Sequence, residues 1–449
     1  MTLLSDIRMS IPPEVYNSVN SFLETHRWPC AGYDLDKETQ LFRENLRYGL
    51  AHRNTNMHMF PSFIEVKSEI PVNETAIVID AGGTNLRIAT VYFDSDFKPI
   101  IADFEQHLMP GLDGPVDDET FYDILAGYVA PLLKKSRKVG FCFSFATHMM
   151  PNKDGLPKPF SKELQLNSIV NLPIGQSLRE ALIRSGALNP DDQFRIVILN
   201  DSVAALLGGL QQIKQENLVV SDCIGYILGT GTNTAYIEEN ANISKLIDYK
   251  KTGKMVMNTE SGTYPMQNRS QFDLDLDAKT QLPNDHLFEK MFSGRYKGDL
   301  LNEILSRATS ETKLFSEAFA TALEDCREVT TIAMSEFIEA PETAGILADL
   351  CAVPSDRQAL LMIVHAIEDR AAQLACCNIA GVLTHLQPAQ DHPVALVIDG
   401  STYFKSPTFK KYLDKYFLSY IKRVLGYELT IIPSVNSNLI GATVAILTN

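Results

Sequence analysis

Apolar positions recur along this chain at two periods, and the switches between them outline the architecture. Residues 1–61 are polar with helical spacing, and Leu41, Phe42, Leu46 and Leu50 return about once per turn, which predicts a helix over 37–52. Residues 76–106 then break into three short β-prone runs. Phe121, Ile124, Leu125, Tyr128, Val129 and Leu132 mark an amphipathic helix. A strand over 139–145, a helix over 175–184, a strand over 195–199 and a helix from Asp201 through Ile213 follow. The order is β-β-β-α-β-α-β-α. Residues 222–256 start it again with strands. A long helix over 355–386 carries Leu360, Ile363, Val364, Ile367, Leu374 and Val382, and a buried strand over 394–398 and a helix over 406–423 close the pattern. This is an approximate duplication of one α/β unit with helical insertions. No low-complexity segment or Pro/Gly/Ser linker interrupts it, so domain boundaries are expected in ordinary connections between closely coupled domains.

Two strand-to-strand turns carry the candidate chemistry. Val78-Ile79-Asp80-Ala81-Gly82-Gly83-Thr84-Asn85 is answered by Gly229-Thr230-Gly231-Thr232-Asn233, each followed by a β-rich run. Glycine permits the positive φ of a tight turn and leaves backbone N–H groups uncovered. Two such hairpins facing each other can grip the phosphates of one nucleotide, with Thr84, Asn85 and Arg87 as further donors. Taken singly, each reads equally well as a structural turn. The second is no Walker A loop, since no Gly-Lys-Ser/Thr follows, and no Rossmann fingerprint, since strand follows it. Asp80 either holds Mg²⁺ beside the phosphates or caps its own turn. Asp201 either caps the helix it opens or acts as a general base at a strand end. Asp399-Gly400-Ser401 lies at the carboxyl end of a strand, where α/β proteins bind ligands, and is otherwise a turn. Phe272-Asp273-Leu274-Asp275-Leu276-Asp277 lacks the glycine and closing glutamate of a calcium loop. The nine histidines show no zinc-ligand spacing.

The 449 residues suffice for two or three domains, and the net charge of −15 argues against a nucleic-acid or anionic-membrane surface without forbidding ATP. Seven cysteines, an odd number with no C-x-x-C pair, read as reduced thiols. The amino terminus shows no secretory signal, and no apolar run approaches a membrane span. A cytoplasmic protein is expected, without nucleic-acid or membrane partners, as a monomer or homodimer.

Taken in order, these segments resemble the hexokinase family of the eukaryotic type across nearly the whole chain, as one catalytic unit. Leu41-Phe42-Arg43 through Met59-Phe60-Pro61-Ser62-Phe63 resembles the family's lead-in helix and M-L-P-S/T-F/Y stretch. IDAGGTNLRI (79–88) is similar to the first phosphate motif and GTGTNTAYIEE (229–239) to the second. FCFSFATH (141–148) with PFSKEL (159–164) resembles the sugar-binding segment, and ILNDSVAALL (198–207) the catalytic one. MNTESGTY (257–264), LFEKMFSGRYKGDL (287–300) and VIDGSTYFKSPTF (397–409) resemble three further family motifs, the last being the adenosine motif.

The resemblance implies a two-domain actin-like ATPase fold, the duplicated ribonuclease H-like α/β architecture with a cleft between a small and a large domain. The small domain is expected to hold 62–200 plus 437–449 and the large one 1–61 plus 201–436. It implies ATP-dependent phosphorylation of a hexose at O6, glucose first and mannose or fructose next, with ATP and Mg²⁺. Asp201 would be the base, with Lys162 drawing charge from the reacting oxygens. Ser144, Ser161, Lys162, Asn200, Asn233, Glu260 and Glu289 would hold sugar hydroxyls. Asp80, Gly82, Gly83, Thr84, Asn85, Arg87, Gly229, Thr230, Gly231, Thr232, Asp399, Gly400 and Ser401 would serve ATP, with Asp80 meeting Mg²⁺ through water. The chain departs from the family's pattern at Ala146 (usually proline), Phe160 and Ser261 (usually tryptophan), Glu163 (usually glycine), and at Ser437-Asn438-Leu439-Ile440-Gly441-Ala442 in place of G-S-G-K-G-A. The first four bear on sugar specificity and the last on nucleotide affinity. The alternative is a catalytically weak, sugar-binding regulatory protein of the same fold. A plain ATPase of the same superfamily has no use for the sugar-holding set.

Overall fold

A computed structural model describes residues 7–8, 11–67, 69–145, 147–157, 172–326, 329–343 and 345–449. The sheets repeat one topology twice. Strands β2 (Ala76–Ala81), β3 (Asn85–Phe93), β4 (Pro99–Leu108), β5 (Lys138–Phe143) and β8 (Arg195–Leu199) form a five-stranded sheet in the order β4-β3-β2-β5-β8. Strands β9 (Asp222–Leu228), β10 (Thr232–Glu239), β11 (Lys254–Asn258), β12 (Val394–Asp399) and β13 (Leu429–Pro433) form the second in the matching order β11-β10-β9-β12-β13. In both, an antiparallel meander is followed by two parallel strands. The duplication read from the sequence is therefore present. β1 (Phe60–Glu65) extends the second sheet by pairing with β11. A short hairpin of β6 (Thr147–Met149) and β7 (Gly155–Pro157) completes the β-structure among the described residues.

The periodic helices lie close to their expected places: Leu35–Ala51, Asp118–Val129, Ile174–Arg184, Asp201–Gln215 and Pro354–Leu386. The helix expected over 406–423 is divided. Ser406 accepts the Phe409 N–H and starts a helix at Pro407, which passes after Tyr416 into a π-helical turn over Phe417–Lys422. The aspartates of 273–277 lie on the helix Gln271–Lys279, where Asp273 pairs with Arg370, Asp275 with Arg307 and Asp277 with Lys290. All three are thus ion-pair partners.

Two helices tie the halves together. Asp201–Gln215 leaves the five-stranded sheet and packs on β9, β10 and β12, while Ser437–Thr448 leaves the second sheet and packs on β2, β5 and β8. They cross at Gly441, where a Cβ would stand 2.0 Å from the Ala204 carbonyl oxygen, so only glycine admits this approach. Their buried faces join both sheets in one apolar cluster that includes Val78, Val197, Leu206, Cys223, Val397 and Ala442. The amino ends of both crossing helices open beside the strand ends that carry the polar motifs. All seven cysteines are free thiols, and no described helix is long and apolar enough to cross a membrane.

Candidate active site

Asp80 lies at the end of β2, and register pairs it with Arg87 on β3. Arg87 Nη1 accordingly donates to Asp80 Oδ2 at 3.3 Å, and Asn438 Nδ2 donates to Oδ1 at 3.2 Å. Burial pushes the Asp80 carboxyl up to about 6; Asp399 adds to the rise, while Arg87, Asn438 and Cys142 oppose it. Gly82 N–H closes the turn on the Asn85 carbonyl at 3.0 Å, and Asn85 Oδ1 accepts from Gln106. Thr84 is held through its carbonyl by Met109 N–H. Ser144, at the end of β5, donates its N–H to the Ala81 carbonyl at 3.1 Å and so lies beside this turn.

The opposite turn joins β9 to β10. Gly229 N–H meets the Gly231 carbonyl at 3.0 Å. The Gly229 carbonyl is held by Gly294 N–H and Thr402 Oγ1, each at 2.8 Å, and the Thr230 carbonyl by Ser293 Oγ and Arg295 N–H. Thr402 follows Asp399-Gly400-Ser401, so that segment and Ser293-Gly294-Arg295 both brace the second glycine turn. None of Gly82, Gly83, Gly229 and Gly231 adopts the left-handed φ expected of them. Gly231 is needed for space: a Cβ there would stand 2.4 Å from Glu289 Oε2, which accepts the Thr232 N–H at 3.0 Å. Gly231→Ala is expected to push the Glu289 carboxylate away from the Thr232 N–H, which a crystal structure of the variant would read.

Asn200, not Asp201, is the N-cap of the helix that follows β8. Its Oδ1 accepts Ser202 N–H at 2.9 Å, which leaves Asp201 as the first helical residue. Asp201 Oδ1 also accepts Ser202 N–H, at 2.8 Å. Burial pushes the Asp201 carboxyl up to about 8, with Glu260, Asp399 and Asp80 adding to the rise against the Ser202 N–H. Those three carboxylates come from three different segments, and each is near enough to Asp201 to disfavour its charge. Glu260 sits in the left-handed region at φ 51°, a conformation costly for a residue with a Cβ and common at functional sites. Ser161 and Lys162, with Phe160, Glu163 and Ala146, lie outside the described residues.

The corner around Asp80 suits a hard cation. It offers a buried carboxylate, and the buried Asn438 Oδ1 has no hydrogen-bond partner. Oxygen donors under a negative field are the set that Mg²⁺ takes, with water completing its shell. Sequence reasoning passed over Asn438, although its segment stood out as a departure. It also passed over Asn258, which opens the same motif as Glu260.

Two sequence models of the hexokinase family match this chain, over residues 26–210 and 223–448. The chain belongs to the hexokinase family. Its relatives include hexokinase-1 of Schizosaccharomyces pombe, 25% identical over 435 residues, covering 91% of this chain and 86% of that protein. Hexokinase-1 of Spinacia oleracea is 25% identical over 380 residues, covering 78% and 74%. The structure of a hexokinase from Schistosoma mansoni complexed with glucose superposes with a TM-score of 0.78 at 21% identity, covering 97% of this chain and 99% of that one. The two-domain actin-like kinase fold of the hexokinases is thus the fold of this chain, and sugar phosphorylation is the activity of its family.

Proposed function

We propose that this hexokinase transfers the γ-phosphoryl group of ATP to the 6-hydroxyl of a hexose, glucose first, with mannose and fructose as further substrates. The observation that carries this reading is the placement of Asp201. It begins a helix at the cleft, beside Asn200 and under the influence of Glu260, Asp399 and Asp80. Asp201 takes the proton of the attacking hydroxyl. Asn200, Asn233, Glu260 and Glu289 serve the other hydroxyls together with Ser144, Ser161 and Lys162. A hexose hydroxyl both donates and accepts, so such a set satisfies each one and penalises a misplaced one. Asp80, Thr84, Asn85, Arg87, Thr230 and Ser401 serve the nucleotide, with Mg²⁺ held by Asp80 through water. When bound, that ion neutralises phosphate charge. The part built on the five-stranded sheet and helix Ser437–Thr448 closes on the rest, expelling the water that would compete as acceptor. A cytoplasmic setting is part of the same reading, supported by the free thiols.

A second reading, a sugar sensor with feeble turnover, draws support from Ser261 in place of the family's usual tryptophan. The test is coupled ADP release with Mg·ATP against glucose, mannose, fructose, glucosamine, N-acetylglucosamine and no sugar. Sugar-dependent turnover is expected. Sugar-stabilised melting with no turnover would favour the sensor, and hydrolysis indifferent to every sugar would favour a plain ATPase.

A further inference from the structure

Beneath the sugar-holding residues runs a chain of amides whose donors and acceptors admit one assignment. The N–H groups of Thr234 and Ser261 both donate to Asn233 Oδ1, at 2.7 and 3.4 Å. Backbone groups cannot reverse roles, so they orient this amide without any ligand. Asn233 Nδ2 then donates to Asn258 Oδ1 at 2.8 Å and faces Asn200 Oδ1 at 3.2 Å and Ser202 Oγ at 3.3 Å. Asn258 Oδ1 also accepts the Glu260 N–H at 3.2 Å. Its Nδ2 must therefore point the other way, and it donates to Glu260 Oε1 at 2.8 Å. Asn200 is oriented by the same logic. Its Oδ1 takes the Ser202 N–H, the Ser202 hydroxyl and Asn233, so Nδ2 remains as its donor.

The start of the relay is itself braced. The Thr234 and Ser261 hydroxyls lie 3.2 Å apart. Asn378, fully buried on the long helix Pro354–Leu386, accepts from Thr234 Oγ1 at 3.0 Å and donates to Ser261 Oγ at 3.2 Å. Ser261 stands where the family usually has tryptophan, so the brace occupies the very position at which this chain departs.

We propose that Asn258 is a positioning residue for hexose recognition. It turns the Glu260 carboxylate through one fixed hydrogen bond. The Asn233 amide that donates to it also faces Asn200 Oδ1, whose acceptor role the Ser202 N–H fixes. Asn233 is thereby oriented from both ends of its amide. The consequence is a pocket of set polarity: the hydroxyl at Glu260 donates, and the hydroxyl at Asn200 accepts. This inference rests on the hexokinase reading given above.

The test uses Asn258→Asp, which keeps the acceptor for Asn233 and Glu260 N–H but replaces the donor facing Glu260 by a carboxylate oxygen. Hexose affinity, read by calorimetry and as KM, is expected to weaken about 10- to 100-fold, the cost of one buried unmatched polar contact. KM for Mg·ATP is expected to stay within about twofold. A panel of monodeoxyglucoses supplies the readout that a structural defect would not move. Wild-type protein should pay a penalty for each missing hydroxyl, and the variant should lose that penalty at the hydroxyl served by Glu260 only. Asn258→Ala gives the same readout should Asn258→Asp fail to fold. Unchanged hexose affinity, or a uniform loss across the panel and Mg·ATP, would overturn the proposal. Wild-type protein that bound none of these hexoses would overturn the hexokinase reading and this inference with it.

Discussion

Replacing Asp201 by alanine is expected to lower sugar-dependent turnover roughly 10²–10⁴-fold, the range for a lost general base, while hexose binding largely survives. Two features of the site converge on this residue. It is the first residue of a helix capped by its neighbour Asn200, and it shares the Ser202 N–H with that cap through Oδ1 alone. Burial and the surrounding carboxylates push it up to about 8. A base of that strength accepts a hydroxyl proton far better than an ordinary aspartate does. It must first be ionised, however, so kcat/KM is expected to rise with pH through about 8, and Asp201→Ala should abolish that rise. Near wild-type turnover in Asp201→Ala would sink the assignment.

The same shift makes a second, opposite-signed expectation for stability. A carboxyl with a folded-state value above its unfolded one binds more protons when folded, so ionising it opposes folding. The penalty is absent at acid pH, grows as pH rises from the ordinary aspartate range of about 4, and is complete above about 8. Asp201→Asn should therefore melt higher than wild type at pH 8.5 and alike at pH 4, in the same protein that has lost its turnover. A site that gains stability on losing its function is the mark of a group retained for chemistry.

How much of this was legible in the sequence depends on the distance over which each feature is determined. The helix Asp201–Gln215 and the long helix Pro354–Leu386 were visible because an apolar face repeats within one turn. The duplication showed because each unit repeats its own local order. β1 was hidden, since its reason to be a strand is a partner on β11, far along the chain. Gly231 was singled out for the wrong physical reason. Its constraint is the carboxylate of Glu289, and no local rule reveals a neighbour contributed by another segment. Asn258 was missed likewise: an asparagine beside a glutamate says nothing until the fold sets Asn233 and Asn200 against it.

Breaking the Lys297–Glu368 pair is expected to cost about 3–5 kcal/mol of stability. Both side chains are fully buried, and Lys297 Nζ meets both carboxylate oxygens at 2.8 Å. Lys297→Met leaves Glu368 charged and without this partner in the interior, and Glu368→Leu does the converse to Lys297. Each should shift the urea midpoint strongly, while Lys297→Met with Glu368→Leu should recover most of the loss, because two apolar side chains of similar size replace a buried pair at little cost. The expectation bears on function through geometry. Lys297 lies in the helix Tyr296–Glu311, which begins directly after the Ser293-Gly294-Arg295 segment that holds the carbonyls of Gly229 and Thr230. Its ammonium also lies 5.0 Å over the ring of Phe409, on the helix Pro407–Tyr416. One cation thus joins the long helix, the helix that follows the brace of the second glycine turn, and the helix Pro407–Tyr416. Where the single variants remain folded, they are expected to raise KM for Mg·ATP more than KM for hexose, and the paired variant should restore both. A double variant no more stable than either single one would show that the pair is kept for its charge, and that apolar packing cannot replace it.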